Sequence, residues 1–313
     1  MGMIRLGIIG TGVMGINHAR VASNINEFKL VGVVDPRKEV CEQTAARFNC
    51  VPYATPEEIL KDVDAVVIAS PTASHAELTR YFSLNDRHVL VEKPVCEDEV
   101  QLQGFTSKSQ VMVGHIERFN PAVKFVKSLN IENFVSFSAR REGPYSPRIV
   151  EGVTRDLMIH DIDLAQYILA SELQLKGAAG ATVKSSSEDV SNAVLSSANG
   201  CAISLSASRV AQTKIRDIRI TTPDMLIFLD LLQRTVSLYR QSSSQFVDDA
   251  GLMYRESLTT ETPLILQSDE PLAAELKCFA SSILNGIASD EVCSVEQGLV
   301  ALNLANQITN LVN

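Results

Sequence analysis

The first 115 residues alternate two kinds of apolar pattern. Short continuous runs, LGIIG (6–10), KLVGVVD (29–35), DAVVIAS (64–70), RHVLVEKP (87–94) and QVMVGH (110–115), are rich in valine and isoleucine and end in glycine, proline or polar residues. Continuous runs of this length are strands buried on both faces. Between them lie segments with helical spacing and start signals. In ATPEEILKDV, Thr55 reads as an N-cap, Pro56 as the first helical residue and Glu58 as the close of a capping box. Ser74 and Glu77 in SHAELTRYF form the same S-x-x-E pattern. Strands and helices in alternation predict a doubly wound parallel sheet covered on both faces.

The pattern changes near residue 120. Asn120 and Pro121 read as N-cap and first residue of a helix, AVKFVKSL. NFVSFSARR (133–141) and a helical patch at RDLMIHDIDLAQYIL (155–169) follow. Several segments between about 175 and 241 alternate polar and apolar residues, as half-buried antiparallel strands do. Helices near 271–285 and 294–311 close the chain. These patterns predict two domains, residues 1–119 and 120–313, the second an α+β domain whose sheet buries one face on helices.

Composition narrows the function classes. The 313 residues carry net charge −9, which disfavours a general nucleic-acid binder. No run of eighteen apolar residues is present, and the start resembles no signal peptide, so no membrane role is expected and the reading is cytoplasmic. The six cysteines have no C-x-x-C spacing and read as buried small side chains.

The first strand runs into Gly10-Thr11-Gly12-Val13-Met14-Gly15, a helical pattern follows, and Asp35 ends the second strand twenty residues after Gly15. This is the context a Rossmann dinucleotide fingerprint needs. Gly10 permits the tight turn, Gly12 a close backbone approach to pyrophosphate, and Gly15 close helix–strand packing, with phosphates on the helix N-terminus. Asp35 would accept the ribose hydroxyls of NAD, and Arg37 leaves NADP as an alternative. Ser70, Pro71 and His75 lie on the route from adenine to nicotinamide, although a histidine at a helix start also suits the surface.

Two further motifs carry the chemistry. Glu92-Lys93-Pro94 ends a sheet strand at its carboxyl edge, where ligands bind. A lysine there can reach substrate and nicotinamide together, hydrogen-bonding a substrate hydroxyl or the developing alkoxide, so Glu92 and Lys93 are candidate cofactor contacts as well. In RDLMIHDID, Asp156 and His160 are four apart and share a helix face, with Asp163 near it and Asp161 turned away toward a structural or capping role. A carboxylate one turn from a histidine fixes its tautomer and raises its basicity, as a general base requires. These two elements are expected to meet at a cleft between the domains. No metal is expected, because no second histidine or cysteine stands at ligand spacing. His115, Glu117 and Arg118 follow the strand 110–115 and are candidates to shape the pocket.

In that order, the glycine motif, Glu92-Lys93-Pro94 and Asp156-x-x-x-His160-Asp161 resemble the glucose–fructose oxidoreductase / inositol dehydrogenase / MocA family over essentially the whole chain. The resemblance implies a Rossmann domain plus a domain with an open, mainly antiparallel sheet, and hydride transfer between nicotinamide and a carbinol carbon of a sugar or cyclitol. It implies Lys93 as the substrate-hydroxyl lysine, His160 as general acid/base and Asp156 as its partner or a substrate contact. It also implies a homodimer or homotetramer through the open sheet face. GHIERFNPAV (114–123) and SARREGPYSPR (138–148) resemble the branch containing UDP-N-acetylglucosamine 3-dehydrogenases. Arg140, Arg141, Arg148 and Arg155 suit a diphosphate, and Arg118 and Arg148 are candidate substrate contacts. Residues Glu151 and Arg155 depart from the apolar run of that branch, which leaves a free sugar or inositol as an alternative substrate. An NAD-retaining glycoside hydrolase and a non-catalytic NAD-binding sensor are the other readings.

Overall fold

The computed structural model describes residues 2–146, 151–248, 251–266 and 269–312. The chain divides into two compact units, Met1–Phe119 with Asp269–Asn303 and Asn120–Ser268 with Leu304–Asn313.

The first unit is built on six parallel strands: β1 (Ile4–Ile9), β2 (Phe28–Val34), β3 (Val51–Tyr53), β4 (Ala65–Ile68), β5 (His88–Glu92) and β6 (Val111–Gly114). Their order is β3-β2-β1-β4-β5-β6. The winding reverses between β1 and β4, so the carboxyl ends of these neighbours form the switch point where such sheets bind ligands. The connecting helices are α1 (Val13–Ala22), α2 (Lys38–Phe48), α3 (Pro56–Ile59) and α4 (His75–Leu84). Strand β3 is only three residues, VPY, too short to register as a period.

Two helix starts differ from the sequence expectation. Thr55 makes no side-chain cap, although Glu58 does reach back to the Ala54 amide at 2.8 Å. Ser74 caps nothing because a 3-10 turn, Thr72–Ser74, precedes α4 and leaves Ser74 already helical. Its hydroxyl instead meets the Ser70 hydroxyl at 2.7 Å and donates to the Pro71 carbonyl at 2.9 Å.

The second unit opens with α5 (Pro121–Ser128), where the Asn120 side chain accepts from the Ala122 amide at 3.1 Å as an N-cap should. Strand β7 (Ser136–Glu142) follows, then a wide π turn (Thr154–Met158) that continues into α6 (Ile159–Leu169). The rest of the sheet is β8 (Leu173–Ala181), β9 (Val190–Ser197), β10 (Ala202–Ser208), β11 (Ile215–Thr221), β12 (Leu226–Asp230), β13 (Thr235–Asp248) and β14 (Gly251–Glu261). Its order is β14-β13-β12-β11-β7-β10-β9-β8, antiparallel throughout except for the parallel β7–β10 pair. Alternation along β7 buries Phe137, Ala139 and Arg141 and leaves Ser136, Ser138 and Arg140 half-buried on the opposite face. On β9 and β10 the same period leaves Asn192, Val194, Ala202 and Ser204 exposed.

The last helices are α7 (Pro271–Asn285) and α8 (Val295–Val312). A single division at residue 120 assigns both to the second domain. In the structure, α7 packs with the first unit: Leu272, Leu276, Phe279 and Ala280 share one core with Ile4, Leu6, Ile8, Ala19 and Phe28. The Phe28 and Phe279 rings lie 6.5 Å apart. The apolar face of α7 is legible in sequence, but which sheet it covers is not, because amphipathicity names a face and no partner.

Candidate active site

The glycine motif forms the cradle its sequence implies. Gly10 has φ +97°, and a Cβ there would lie 2.7 Å from the Ala69 carbonyl and the Ser70 amide. A Cβ at Gly15 would sit 1.8 Å from the Gly10 oxygen, so α1 meets β1 only through a glycine. At Gly12 a Cβ would meet nothing within 4 Å: the backbone faces open space. That space is a cavity of about 930 Å³ lined by Gly10, Gly12, Asp35, Arg37, Ser70 and Pro71, among others. Thr11 is buried, while Val13 is exposed at the helix start and Met14 is half-buried. The volume and the bare amides fit a dinucleotide with its pyrophosphate on the N-terminus of α1.

Asp35 lies at the wall of this cavity but is 4% exposed. Its carboxylate accepts from the Thr11 amide (2.9 Å) and hydroxyl (2.7 Å), and from the Arg37 amide (2.9 Å), Nε (2.8 Å) and Nη2 (2.8 Å). Arg37 above all, with Thr11, holds the Asp35 carboxyl far below the ordinary carboxylate range against the opposing effect of burial. Five donors fill the lone-pair sites of a carboxylate. The ribose-accepting role expected of Asp35 therefore requires Arg37 to move aside. The Arg37 side chain is 60% exposed, so it has room to do so.

At the carboxyl end of β5, Lys93 is half-buried and the Lys93–Pro94 peptide is cis. Glu92 turns inward, its Oε1 2.7 Å from His18 Nε2. Burial pushes the Glu92 carboxyl up, but the His18 hydrogen bond and the electrostatic pull of His18, Lys93 and His75 outweigh it, leaving the group below its ordinary value. His75 is a buried histidine rather than a surface one, at 1% exposure, with each ring nitrogen on a backbone carbonyl. Arg118 is also buried, and its Nη1 donates to the Val292 carbonyl and Gln297 Oε1, both at 3.0 Å. Both of these contacts lie within the first unit.

In the second unit, Asp156 lies in the π turn and His160 in the first turn of α6, and both are half-buried. The wide turn changes the rotation per residue, yet a four-residue step still returns close to the same face. Asp161 and Asp163 are buried at 2% and 1%. Asp161 takes Arg141 in a buried pair, with Nε at 3.0 Å and Nη2 at 2.8 Å, so its role is structural. Glu188 fixes the start of this segment by accepting from the Thr154 amide at 3.1 Å. Its carboxylate packs so tightly on Gly152 that a Cβ there would lie 2.1 Å away. Sequence reasoning singled out neither Glu188 nor Gly152, because they are 36 residues apart and only the fold joins them.

Three arginines of the basic stretch are paired with carboxylates, although only Arg141 is buried. Arg140 pairs with Asp217 across the sheet, Arg141 with Asp161, and Arg155 with Glu151 at 3.5 Å. The expectation that these arginines serve a diphosphate is corrected for Arg141, which is buried against Asp161, while Arg140 is paired with its strand neighbour Asp217 but stays partly exposed. Arg148 lies outside the described residues. The six cysteines form no disulfide. Among the described residues no helix is long and apolar enough to cross a membrane.

The 3-2-1-4-5-6 sheet with its glycine cradle is the fold that comparisons with known proteins also find. Residues 4–115 match the model of an oxidoreductase family with an NAD-binding Rossmann fold, and residues 128–222 match the GFO/IDH/MocA C-terminal domain. The chain belongs to the GFO/IDH/MocA oxidoreductase family. It is an NAD-binding dehydrogenase by that membership. UDP-N-acetylglucosamine 3-dehydrogenase of Acidithiobacillus ferrooxidans is 28% identical over 286 residues, covering 90% of this chain and 88% of that one. A solved structure of that protein superposes with TM-score 0.88 over 100% of this chain and 98% of its own. Inositol 2-dehydrogenase of Rhizobium meliloti is 30% identical over 186 residues, 54% of this chain and 56% of that protein. The scyllo-inositol dehydrogenase of Lactobacillus casei, solved with NAD(H) and scyllo-inositol, is 17% identical with TM-score 0.81 over 99% of this chain and 97% of its own, a likeness of fold.

Proposed function

We propose that this family member oxidises a ring hydroxyl of a nucleotide-linked sugar, C3 of a UDP-N-acetylhexosamine, with NAD as hydride acceptor. The observation that carries the reading is the Asp156–His160 face, the half-buried side of a helix whose other two carboxylates are buried. The near full-length likeness to a UDP-N-acetylglucosamine 3-dehydrogenase supports the substrate class.

Gly10, Gly12, Gly15 and the α1 amides would hold the pyrophosphate, Asp35 or Arg37 the adenosine ribose, and Ser70 and Pro71 the path toward the nicotinamide. Bound NAD supplies the hydride acceptor. His160 takes the proton of the substrate hydroxyl as hydride leaves the same carbon, and returns it in the reverse direction. Asp156, one turn before it, is the carboxylate that orients the His160 ring. Lys93 donates to the reacting oxygen and stabilises the alkoxide as it develops. Arg148 remains the candidate for the diphosphate. The chain acts in the cytoplasm as a homodimer or homotetramer through the exposed face of the eight-stranded sheet, and sedimentation as a single chain would contradict the assembly.

The test is NADH formation by the purified protein with excess NAD and a panel of UDP-sugars, free hexoses and inositols, under ketone trapping. NADH with UDP-N-acetylglucosamine supports the reading. NADH with free sugars or inositols alone would move the substrate to that class and remove the diphosphate role.

A further inference from the structure

The backbone that presents Lys93 is enclosed: from Val89 to Cys96 every residue is buried except Lys93 itself. The residues on its two sides are held by buried histidines from two different helices. Before it, Glu92 Oε1 accepts from His18 Nε2 at 2.7 Å, and His18 is 0% exposed on α1, one turn beyond Gly15. After it, the Pro94 carbonyl accepts from His75 Nδ1 at 2.7 Å. The other nitrogen of His75 lies 2.8 Å from the Ser70 carbonyl. Both ring nitrogens of His75 are thus engaged by backbone carbonyls.

We propose that His18 and His75 are positioning residues for Lys93, a role that rests on the assignment of Lys93 to the reacting oxygen. His18 ties the β5 end to the helix that receives the pyrophosphate. His75 ties the Pro94 turn to Ser70, which lines the cofactor cavity. Lysine is a long, flexible side chain with several rotatable bonds, so fixing its backbone on both sides removes much of the freedom that would blur its aim. Packing alone does not call for such groups. A buried polar network is often replaced by apolar residues without loss of stability, whereas misplacing a reacting group by about 1 Å can cost about 100-fold in rate.

The experiment is a double-mutant cycle on turnover of UDP-N-acetylglucosamine. It compares His18→Ala, His75→Ala and Lys93→Ala with the doubles His18→Ala/Lys93→Ala and His75→Ala/Lys93→Ala, and measures NAD affinity and the thermal midpoint for each. Each histidine variant is expected to lower kcat by about 10- to 100-fold with NAD affinity nearly unchanged. In the Lys93→Ala background the same substitutions should cost almost nothing further, because the lysine they aim is gone. His18→Gln, which keeps a donor near the Nε2 position, should recover most of the loss. If His18→Ala does not fold, His18→Asn, whose donor falls short of Glu92, carries the same cycle. Losses that multiply in the double variants would overturn the inference and leave the histidines structural. Full turnover in Lys93→Ala would instead overturn the role of Lys93, and is distinguishable because it shows in the single variant.

Discussion

The Asp35–Arg37 pair sets the cofactor question at the scale of single residues. An acid at the end of β2 ordinarily selects NAD by accepting ribose hydroxyls, yet this one is satisfied by Arg37 and Thr11. Arg37→Ala frees two side-chain donors' worth of acceptor capacity and removes a cation that would welcome a 2′-phosphate. It should raise the preference for NAD over NADP by about 10-fold, roughly 1.4 kcal/mol. Asp35→Ser should lower that preference by a similar factor. The ratio of kcat/KM for the two cofactors checks both, and an unchanged ratio in both variants would remove the pair from cofactor selection. The acid and the arginine are readable in sequence, two residues apart. Their mutual bond is not, because nothing in the spacing tells whether Arg37 faces Asp35 or solvent.

Helix α7 poses a different question at the scale of elements. It buries Glu275 completely in the core of the first unit, with neither carboxylate oxygen hydrogen-bonded among the described residues. Burial, and then the charge of Glu92, push the Glu275 carboxyl well above its ordinary value. The folded protein therefore keeps a proton that the unfolded chain releases once pH passes the ordinary glutamate range. With more protons bound in the folded state, stability falls as pH rises between the unfolded and the folded pKa. Glu275→Gln removes that dependence. Its thermal midpoint should match wild type at low pH and exceed it increasingly as pH rises, the free-energy difference growing by at most about 1.4 kcal/mol per pH unit. Parallel midpoint curves would contradict a neutral buried Glu275. Elements were legible where period and start signals agree, as for β1, β2, β5 and α5. The capping box at Ser74 fails because a 3-10 turn already makes Ser74 helical, whereas Thr55 holds the N-cap position with its hydroxyl making no cap bond. The π turn at 154–158 escaped because a helix carrying one wide turn leaves the same apolar pattern as a regular one.

For the whole molecule, the proposed function uses the dinucleotide cradle of one unit and the Asp156–His160 helix of the other. The cradle was legible because its glycines answer to backbone clashes that any sequence of this spacing meets. The Asp156–His160 proposal starts from the sequence because acids beside a histidine in an apolar stretch need a reason. The tethers around them, His18 on Glu92 and Glu188 on the Asp156 segment, depend on contacts between distant parts of the chain and emerge only with the fold. The most direct test is isotope transfer. UDP-N-acetylglucosamine carrying deuterium at C3 is incubated with NAD and either the native protein or His160→Ala, and the nicotinamide product is analysed by mass spectrometry. Deuterated NADH is expected from the native protein, with a rate lower by about 100-fold in His160→Ala and NAD binding retained. NADH without deuterium, or a His160→Ala variant as fast as the native protein, would contradict the proposed function.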